Sequence, residues 1–318
     1  MTGNVKIGQA QVWKCLLLIG RFEWLRLQEI ALFIWKNHLI KNLAFLHYED
    51  KNRYFYAQAL VKKMVDQDLV LTQKLPDHAG TAVVLTEKGA KILREMGYKQ
   101  VKGAKLITDD KGDDHWTPNP KWKHDLMVNG FTALAFVDME FLGVSLNDLI
   151  LGIPTINEPE FLTEKEQIQI PAEYNNPILD TSSDDVKYTD LLIEHKYHGM
   201  LGIEFEKSRK SGEKRDPLIK SIVQTNKKNG RSLHSFNGLE PDIIAIAYDP
   251  EEKEKTASGS YKKINHFSNI YNATIKKMHE DGLKEMKFMF FELKVKNFGV
   301  IGYEINTFDY SPNYDPTL

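Results

Sequence analysis

Tyr188-Thr189-Asp190-Leu191-Leu192-Ile193 and, shortly after it, Gly202-Ile203-Glu204-Phe205-Glu206-Lys207 read as two short apolar strands that each present acidic side chains. Alternate strand residues share a face, so Glu204 and Glu206 project together while Ile203, Phe205 and Lys207 point the other way. An acid opening one strand and an acidic pair inside its hairpin partner can converge on one divalent cation. Taken alone, such a strand also fits the solvent face of an edge hairpin. Its neighbours decide between the two.

The chain has 318 residues, more than the roughly 100–200 of a typical domain, so two domains are expected. The formal net charge is −2, and any grip on nucleic acid must come from local basic patches. Cys15 is the one cysteine, which leaves no internal disulfide and no cysteine-based zinc site and favours a reducing compartment. The apolar run 15–19 is too short to span a bilayer and no charged segment with a cleavage site precedes it, so the reading expects no membrane insertion and a soluble, cytoplasmic protein.

The first part of the chain has the rhythm of a small helical domain. Leu27, Ile30, Ala31, Ile34 and Trp35 recur at helical spacing, a short helix fits 40–45, and a third covers about 52–68 with Tyr54, Ala57, Leu60, Val61, Met64 and Val65 as its buried stripe. Strands at 69–74 and 81–85 flank the turn-forming Pro76-Asp77-His78-Ala79-Gly80, and Thr86 is placed to cap a closing helix. Three helices, a two-stranded wing and a return helix make a winged helix. The phrase Leu85-Thr86-Glu87-Lys88-Gly89-Ala90-Lys91-Ile92-Leu93 resembles the wing-to-helix junction of bacterial winged-helix DNA-binding proteins. In such folds the third helix enters the major groove, which would put Arg53, Gln58, Lys62 and Lys63 on DNA. A solvated helix face on a protein-binding domain is the plainer alternative.

Residues 99–123 are rich in Lys, Asp, Gly and Pro without periodicity and read as a linker, separating a domain at 1–98 from one at 124–318. A helix opens at Lys123-His124-Asp125 and runs through Phe131, Leu134, Ala135, Met139 and Leu142. Strands follow at 146–153, 190–197 and 200–208, with an irregular insertion at 154–185. Then come a helix at 216–228, a strand at 242–248, a helix at about 261–282, and strands at 287–295 and 300–305. The expected fold is thus α+β, and the order helix, three strands, helix, strand is the αβββαβ core of restriction-endonuclease-like nucleases of the PD-(D/E)xK type.

A winged helix, a His124-x-Leu126-x-Val128-Asn129 helix start, Thr189-Asp190 before an apolar strand and Glu204-x-Glu206 on its partner together resemble the replication-relaxation family of plasmid proteins, and within it the mobilization protein C (MOBC-class) relaxases. The resemblance implies a relaxase: a metal-dependent endonuclease that nicks one strand at a plasmid transfer origin during conjugative mobilization. It implies a site at Asp190, Glu204 and Glu206, with double- and single-stranded DNA, a relaxosome accessory protein and the transfer coupling ATPase as partners. One departure stands out. The nuclease pattern has lysine two residues after the second acid, and here that position is Glu206. Lys207 lies on the opposite strand face, so Lys220 on the following helix is the first choice for a catalytic cation and Lys210 in the turn the second.

The residue types fit that chemistry. Asp190, Glu204 and Glu206 offer hard oxygen donors, which select magnesium or manganese over zinc. A nearby lysine would offset charge on the reacting phosphate. Three further features compete for roles. Asp242 after Pro241, with Glu292-Leu293-Lys294 on a later strand, is a closer literal match to the nuclease motif but is interrupted by a whole helix. His124 can approach phosphate or cap its own helix. His195 and His198, flanking Lys196-Tyr197, can bind metal, contact DNA or form a solvated turn. The rival function is a DNA-binding replication or transcription regulator whose nuclease domain is degenerate, and Glu206 is the residue that favours it.

Overall fold

The structure, a computed structural model, describes residues 8–34, 51–98, 101–138, 140–141, 162–163, 189–206, 215–226, 241–256 and 258–310. Among them, contacts group residues 8–138 and 295–302 into one unit and 140–294 and 303–310 into a second.

In the first unit, α1 (Gln9–Phe22) buries Val12, Cys15, Leu16 and Ile19. It is followed by β1 (Trp24–Arg26), α2 (Leu27–Ile34), α3 (Lys51–Asp66), β2 (Val70–Lys74), β3 (Thr81–Leu85) and α4 (Glu87–Glu95). The three strands form one sheet in the order β1-β3-β2, both pairings antiparallel, with Trp24 against Val84 and Val70 against Leu85. β1 has no counterpart in the sequence reading because three buried residues in a row carry no alternation. The stripe of α3 is as expected at Ala57, Leu60, Val61 and Met64, but Val65 is 41% exposed and falls outside it. The helix read at 40–45 lies outside the described residues.

A buried ion pair ties these pieces together. Arg26 and Glu29 are each 1% exposed. The Arg26 main-chain N–H donates to Glu29 Oε2 at 2.9 Å and its Nε to Oε1 at 3.0 Å, so Glu29 reaches back over the first turn of α2 as the glutamate of a capping box does. The same guanidinium donates through Nη1 to Ala79 O at 3.1 Å, fixing β1 and α2 to the turn between β2 and β3. Thr86 caps α4 as the sequence indicates, its Oγ1 accepting from Gly89 N at 3.1 Å. Gly89 is required by close approach, since a Cβ there would sit 2.1 Å from Leu69 O.

Within 99–123, read as a linker, β4 (Leu106–Thr108) and β5 (Asp114–Trp116) form a hairpin, and Ala104 and Trp116 pack against the cluster of Trp24, Leu75, Val84 and Trp122. Strands of three residues are too short for composition to reveal. The next helix, α5 (Trp122–Val137), is buried on every side from Leu126 to Val137. It belongs to the first unit, where Asn129 Nδ2 donates to Trp24 O at 2.9 Å, although the sequence reading opens the second domain with it.

The second unit is built on a six-stranded mixed sheet in the order β13-β12-β9-β8-β7-β6. Its elements are β6 (Leu162–Thr163), β7 (Leu191–His195), β8 (Gly199–Glu206), α6 (Asp216–Asn226), β9 (Ile243–Tyr248), a two-stranded ribbon of β10 (Lys253–Lys255) and β11 (Tyr261–Lys263), α7 (His266–Glu280), β12 (Met286–Lys296) and β13 (Gly299–Tyr310). β7 runs antiparallel to β6 and β8, whereas β8, β9 and β12 are parallel. All six residues of β9 are buried, as a strand covered on both faces requires. On one face Ile244, Ile246, Phe288 and Phe290 pack against Leu218, Ile222, Ile270, Tyr271 and Met278 of α6 and α7. The fold is mixed α+β. The strand read at 146–153 lies outside the described residues, as does the insertion at 154–185 apart from β6. α7 starts at His266, five positions later than read, because the unforeseen ribbon precedes it and Asn265 caps it, accepting from Ser268 N at 2.9 Å. No helix among the described residues is long and apolar enough to cross a membrane.

Burial raises the pKa of the Cys15 thiol far above its usual value, so labelling by a thiol reagent requires the first unit to open. Glu29→Ala strands a buried guanidinium and should cost roughly 3–5 kcal/mol, against about 1 kcal/mol for loss of the cap in Thr86→Ala. The Cys15 labelling rate should rise by on the order of a hundredfold or more in the first variant and about fivefold in the second. Equal rates in both would show that the ion pair does not hold the unit together.

Candidate functional site

β7 and β8 pair with Leu191 against Ile203 and Ile193 against Leu201. One step further along that register, Asp190 stands opposite Glu204, on the face that also carries Glu206. Asp190 closes the rung with its side chain, Oδ2 accepting the main-chain N–H of Phe205 at 2.8 Å. The two strands meet at a tight turn where Gly199, at φ 75°, leaves no room for a Cβ, which would lie 2.3 Å from Asp242 Oδ2.

These acids do not form the solvent face of an edge hairpin. β8 lies inside the sheet between β7 and β9, and Glu204 and Glu206 are 3% and 1% exposed, with Asp190 half-buried. The parallel register continues the arrangement sideways: Glu204 lies beside Ile246, Glu206 beside Tyr248, and Tyr248 beside Glu292. Glu206 and Tyr248 end β8 and β9, and with Glu292 inside β12 they form a polar row across three parallel strands, near the carboxyl ends where open α/β sheets bind ligands. The Tyr248 hydroxyl donates to Glu292 Oε1 at 2.8 Å. Burial first, and that hydrogen bond second, hold its pKa well above the usual tyrosine value.

The other expected residues are placed as follows. Lys220 is exposed on α6, next to the buried Ile219 and Ser221. Lys207 and Lys210 lie outside the described residues. On α3, Gln58 and Lys62 are exposed and Lys63 is half-buried, beside Phe55 at 62% exposure; the Arg53 side chain lies outside the description. His124, in the first turn of α5, has Nδ1 3.6 Å from Asp125 Oδ1, and the N-cap position of α5 is Lys121.

Two alternatives lose their geometry. Asp242 precedes β9, where its Oδ2 accepts from Met200 N at 2.8 Å, while Glu292 pairs with Tyr248 at the far end of the same strand. Six strand residues separate them by about 20 Å, and Lys294 pairs with Glu304 at 2.6 Å. His195 is 2% exposed and its Nδ1 accepts the N–H of Tyr197 at 3.2 Å. The ring proton is thereby assigned to Nε2, which faces Glu140 Oε2 at 3.7 Å, so neither nitrogen presents a lone pair to a metal. His198 stacks on that ring at 4.7 Å, and burial, then the nearby Lys287, lower its pKa.

Among the described residues no group of three or more His, Cys, Asp or Glu side chains is assembled for a metal ion. The donor chemistry at Asp190 and Glu204 nevertheless suits magnesium or manganese, which are commonly held by one or two carboxylates with water and substrate phosphate completing the shell.

The sequence reading missed a cavity of about 690 Å³ in the second unit, whose walls include Tyr248, Lys263, His266, Phe267, Glu292 and Asn306. It draws on β9, β11, the start of α7, β12 and β13, elements with no shared spacing in the sequence. Compared with protein-family models, with curated proteins and with solved structures, the chain matches none.

Because the fold favours the neutral phenol of Tyr248, the native chain binds more protons than the unfolded chain above the ordinary tyrosine pKa of about 10, and stability falls as pH rises from there. In an alkaline titration followed by tyrosinate absorbance, one tyrosine should ionise late in the native chain. Tyr248→Phe should remove that late step. A late step that persists in the variant would assign it to another residue.

Proposed function

We propose that this chain is a metal-dependent DNA endonuclease acting as a plasmid relaxase, nicking one strand at a transfer origin. The observation that carries the reading is the register that sets Asp190 opposite Glu204 with Glu206 on the same face of an interior strand. Two arrangements support it. Strands β6, β7, β8 and β9 are consecutive in the sheet, with β7 antiparallel to its neighbours and α6 crossing over to a parallel β9, which is in keeping with the PD-(D/E)xK core that the sequence suggests. The order α1-β1-α2-α3-β2-β3-α4 with sheet order β1-β3-β2 is in keeping with a winged helix, in which α3 would be the recognition helix.

In this mechanism Asp190, Glu204 and Glu206 would be the residues that hold the cation. A magnesium or manganese ion held there would supply a water of lowered pKa and positive charge at the phosphate. The hydrogen bond from Phe205 N fixes one oxygen of Asp190 and so its orientation. The positive charge that Glu206 does not provide comes from a side chain reaching in, Lys220 first and Lys207 or Lys210 after it, because a lysine stem can lie along an apolar helix face while its ammonium reaches beyond it. Gln58, Lys62, Lys63 and Arg53 bind the duplex, and His124 approaches a phosphate. The accessory protein and the coupling ATPase enter through the family resemblance, as does a cytoplasmic setting.

The regulator with a degenerate nuclease domain is the second reading, favoured by a buried glutamate where a lysine is usual. Nicking of supercoiled plasmid separates the two. Under the first reading magnesium or manganese supports nicking and a chelator stops it. Asp190→Ala and Glu204→Ala should each lower the rate by a thousandfold or more, about 4 kcal/mol of transition-state stabilisation, with duplex binding retained. Undiminished nicking by both variants would sink the assignment, and duplex binding without nicking by the unaltered chain would establish the regulator. Replacing Lys62 and Lys63 by alanine should flatten the salt dependence of duplex affinity by about 0.9 in log–log slope per lost phosphate contact. An unchanged slope would mean that α3 is not the DNA-facing helix.

A further inference from the structure

The ribbon of β10 and β11 has two unlike faces. Its antiparallel register sets Lys253 opposite Lys263, Glu254 opposite Lys262 and Lys255 opposite Tyr261. Directly opposed residues share a face, and alternate residues along each strand return to it. Lys253, Lys255, Tyr261 and Lys263 therefore stand together, with Glu254 and Lys262 on the other side. The first set is exposed throughout, Tyr261 at 71%. The second face pairs opposite charges, whereas the first sets Lys253 directly against Lys263, an arrangement that destabilises a ribbon. Glu251 offsets part of that cost. Its Oε1 lies 2.7 Å from Lys263 Nζ, and Lys263 first, then Lys253, hold its carboxyl below the usual range. One acid is thus shared between two lysines, and the face keeps a net positive charge.

Lysines on an exposed ribbon also guard it against pairing with another chain. Tyr261 does not fit that purpose, because a bare aromatic ring in the same row invites the contact that the lysines would repel. A ring flanked by cations suits a nucleic-acid strand, whose bases stack on the ring while its phosphates meet the ammonium groups. Lys253 and Lys255 are about 6.6 Å apart along β10, comparable to the step between neighbouring phosphates of an extended strand. The position of the ribbon agrees. It springs from the carboxyl end of β9, with only residues 249–252 between Tyr248 and Lys253. At its base Asp249 Oδ1 accepts from Glu251 N at 2.9 Å, and Ile264 N donates to Glu252 O at 2.9 Å. Lys263 shares the cavity wall with Tyr248 and Glu292, and Tyr248 is the strand neighbour of Glu206. The cationic face thus begins beside the acidic row.

We propose that this face of the ribbon binds a single strand of nucleic acid, with Tyr261 stacked on a base and Lys253, Lys255 and Lys263 on its phosphates. The choice of nucleic acid among polyanions rests on the phosphodiesterase reading of Asp190 and Glu204. A single strand is favoured over duplex because the ring needs an open base face, which a paired and stacked helix withholds. The phosphates bring the negative charge that the opposed lysines lack, so the strand relieves a repulsion built into the ribbon. Bound there, it would be held next to the acids proposed to act on it.

Fluorescence anisotropy of a labelled oligothymidine with the full chain, in the presence of a chelator, tests the proposal without any cleavage. Joint replacement of Lys253 and Lys255 by alanine should weaken binding about tenfold or more and flatten its log–log salt dependence by about 0.7 per lost phosphate contact. Tyr261→Ala should weaken binding about tenfold with the salt slope unchanged, and Tyr261→Phe should keep most of the affinity, since a phenyl ring still stacks. Lys276→Ala, at an exposed position on α7, should have no effect. Unchanged affinity in the lysine and tyrosine variants would overturn the proposal. Normal binding by Tyr261→Ala, with oligonucleotide and heparin lost alike by the lysine variant, would reduce the face to a general cationic patch. Loss of phosphatidylserine vesicle binding with oligonucleotide binding intact would give the face to a membrane instead. Asp190→Ala should bind the oligonucleotide as the unaltered chain does. Nicking that fails in the unaltered chain while ribbon-dependent binding survives would remove the endonuclease reading and keep the ribbon. Nicking by a chain whose ribbon variants bind normally would do the reverse.

Discussion

The register of β8 against its neighbours is the constraint from which the second unit follows. Side chains alternate along a strand, so a slip of one residue would send Glu204 and Glu206 into the opposite face and bring Ile203 and Phe205 out of it. Two pairings of different kinds prevent that. The antiparallel pairing to β7 sets Leu191 against Ile203, and the parallel pairing to β9 sets Glu206 against Tyr248. The carboxylate of Asp190 on Phe205 N and that of Asp242 on Met200 N hold the two ends of the strand. An acid is thus used structurally at each end of β8, while the acids within the strand share a face with the polar row.

How much of this was readable in the sequence depends on the range over which each signal acts. The strand bearing Glu204 and Glu206, the cap at Thr86 and the stripe at Ala57, Leu60 and Met64 are local patterns, and they recur in the structure nearly in place. β1 and the β4–β5 hairpin left no trace because strands of three residues have no period to detect. The α5 helix was legible as a helix but not as a member of the first unit, since an element buried on all sides carries no stripe to show what it packs against. The pairing of Arg26 with Glu29 was within reach of the sequence, as a charged residue three positions before a glutamate at a helix start. Its link to Ala79 depended on the chain folding back across the turn between β2 and β3.

The candidate site divides in the same way. Alternation put Glu204 and Glu206 on one face, and a short turn made Asp190 their partner, so the acidic constellation could be named before any fold was known. Burial could not. An alternating acidic strand fits an edge and an interior equally, and only the parallel partner β9 decides that β8 is interior. The literal motif match at Asp242 and Glu292 shows the converse error. Both residues are real parts of the sheet, but a strand rises about 3.3 Å per residue, so the length of β9 keeps them at opposite ends. The row of Glu206, Tyr248 and Glu292 was invisible because its members come from three strands with helices between them.

Electrostatics then links burial to chemistry. Glu204 and Glu206 are buried on one face of β8, and the reacting phosphate of a nucleic acid would add negative charge to that face. Ionised carboxylates out of water are tolerated when they are paired, hydrogen-bonded or coordinated. On the proposed reading, a divalent cation would lower this cost and attract the phosphate with the same charge, whereas a lysine at position 206 would have neutralised one acid without serving as a ligand. Glutamate there would make such a site more dependent on a bound ion and less able to hold a phosphate without one. A reaching lysine such as Lys220 on the rim, rather than in the buried row, is compatible with that arrangement. On the proposed reading, the fold keeps its acids buried while the positive half of the site would be completed by the ion.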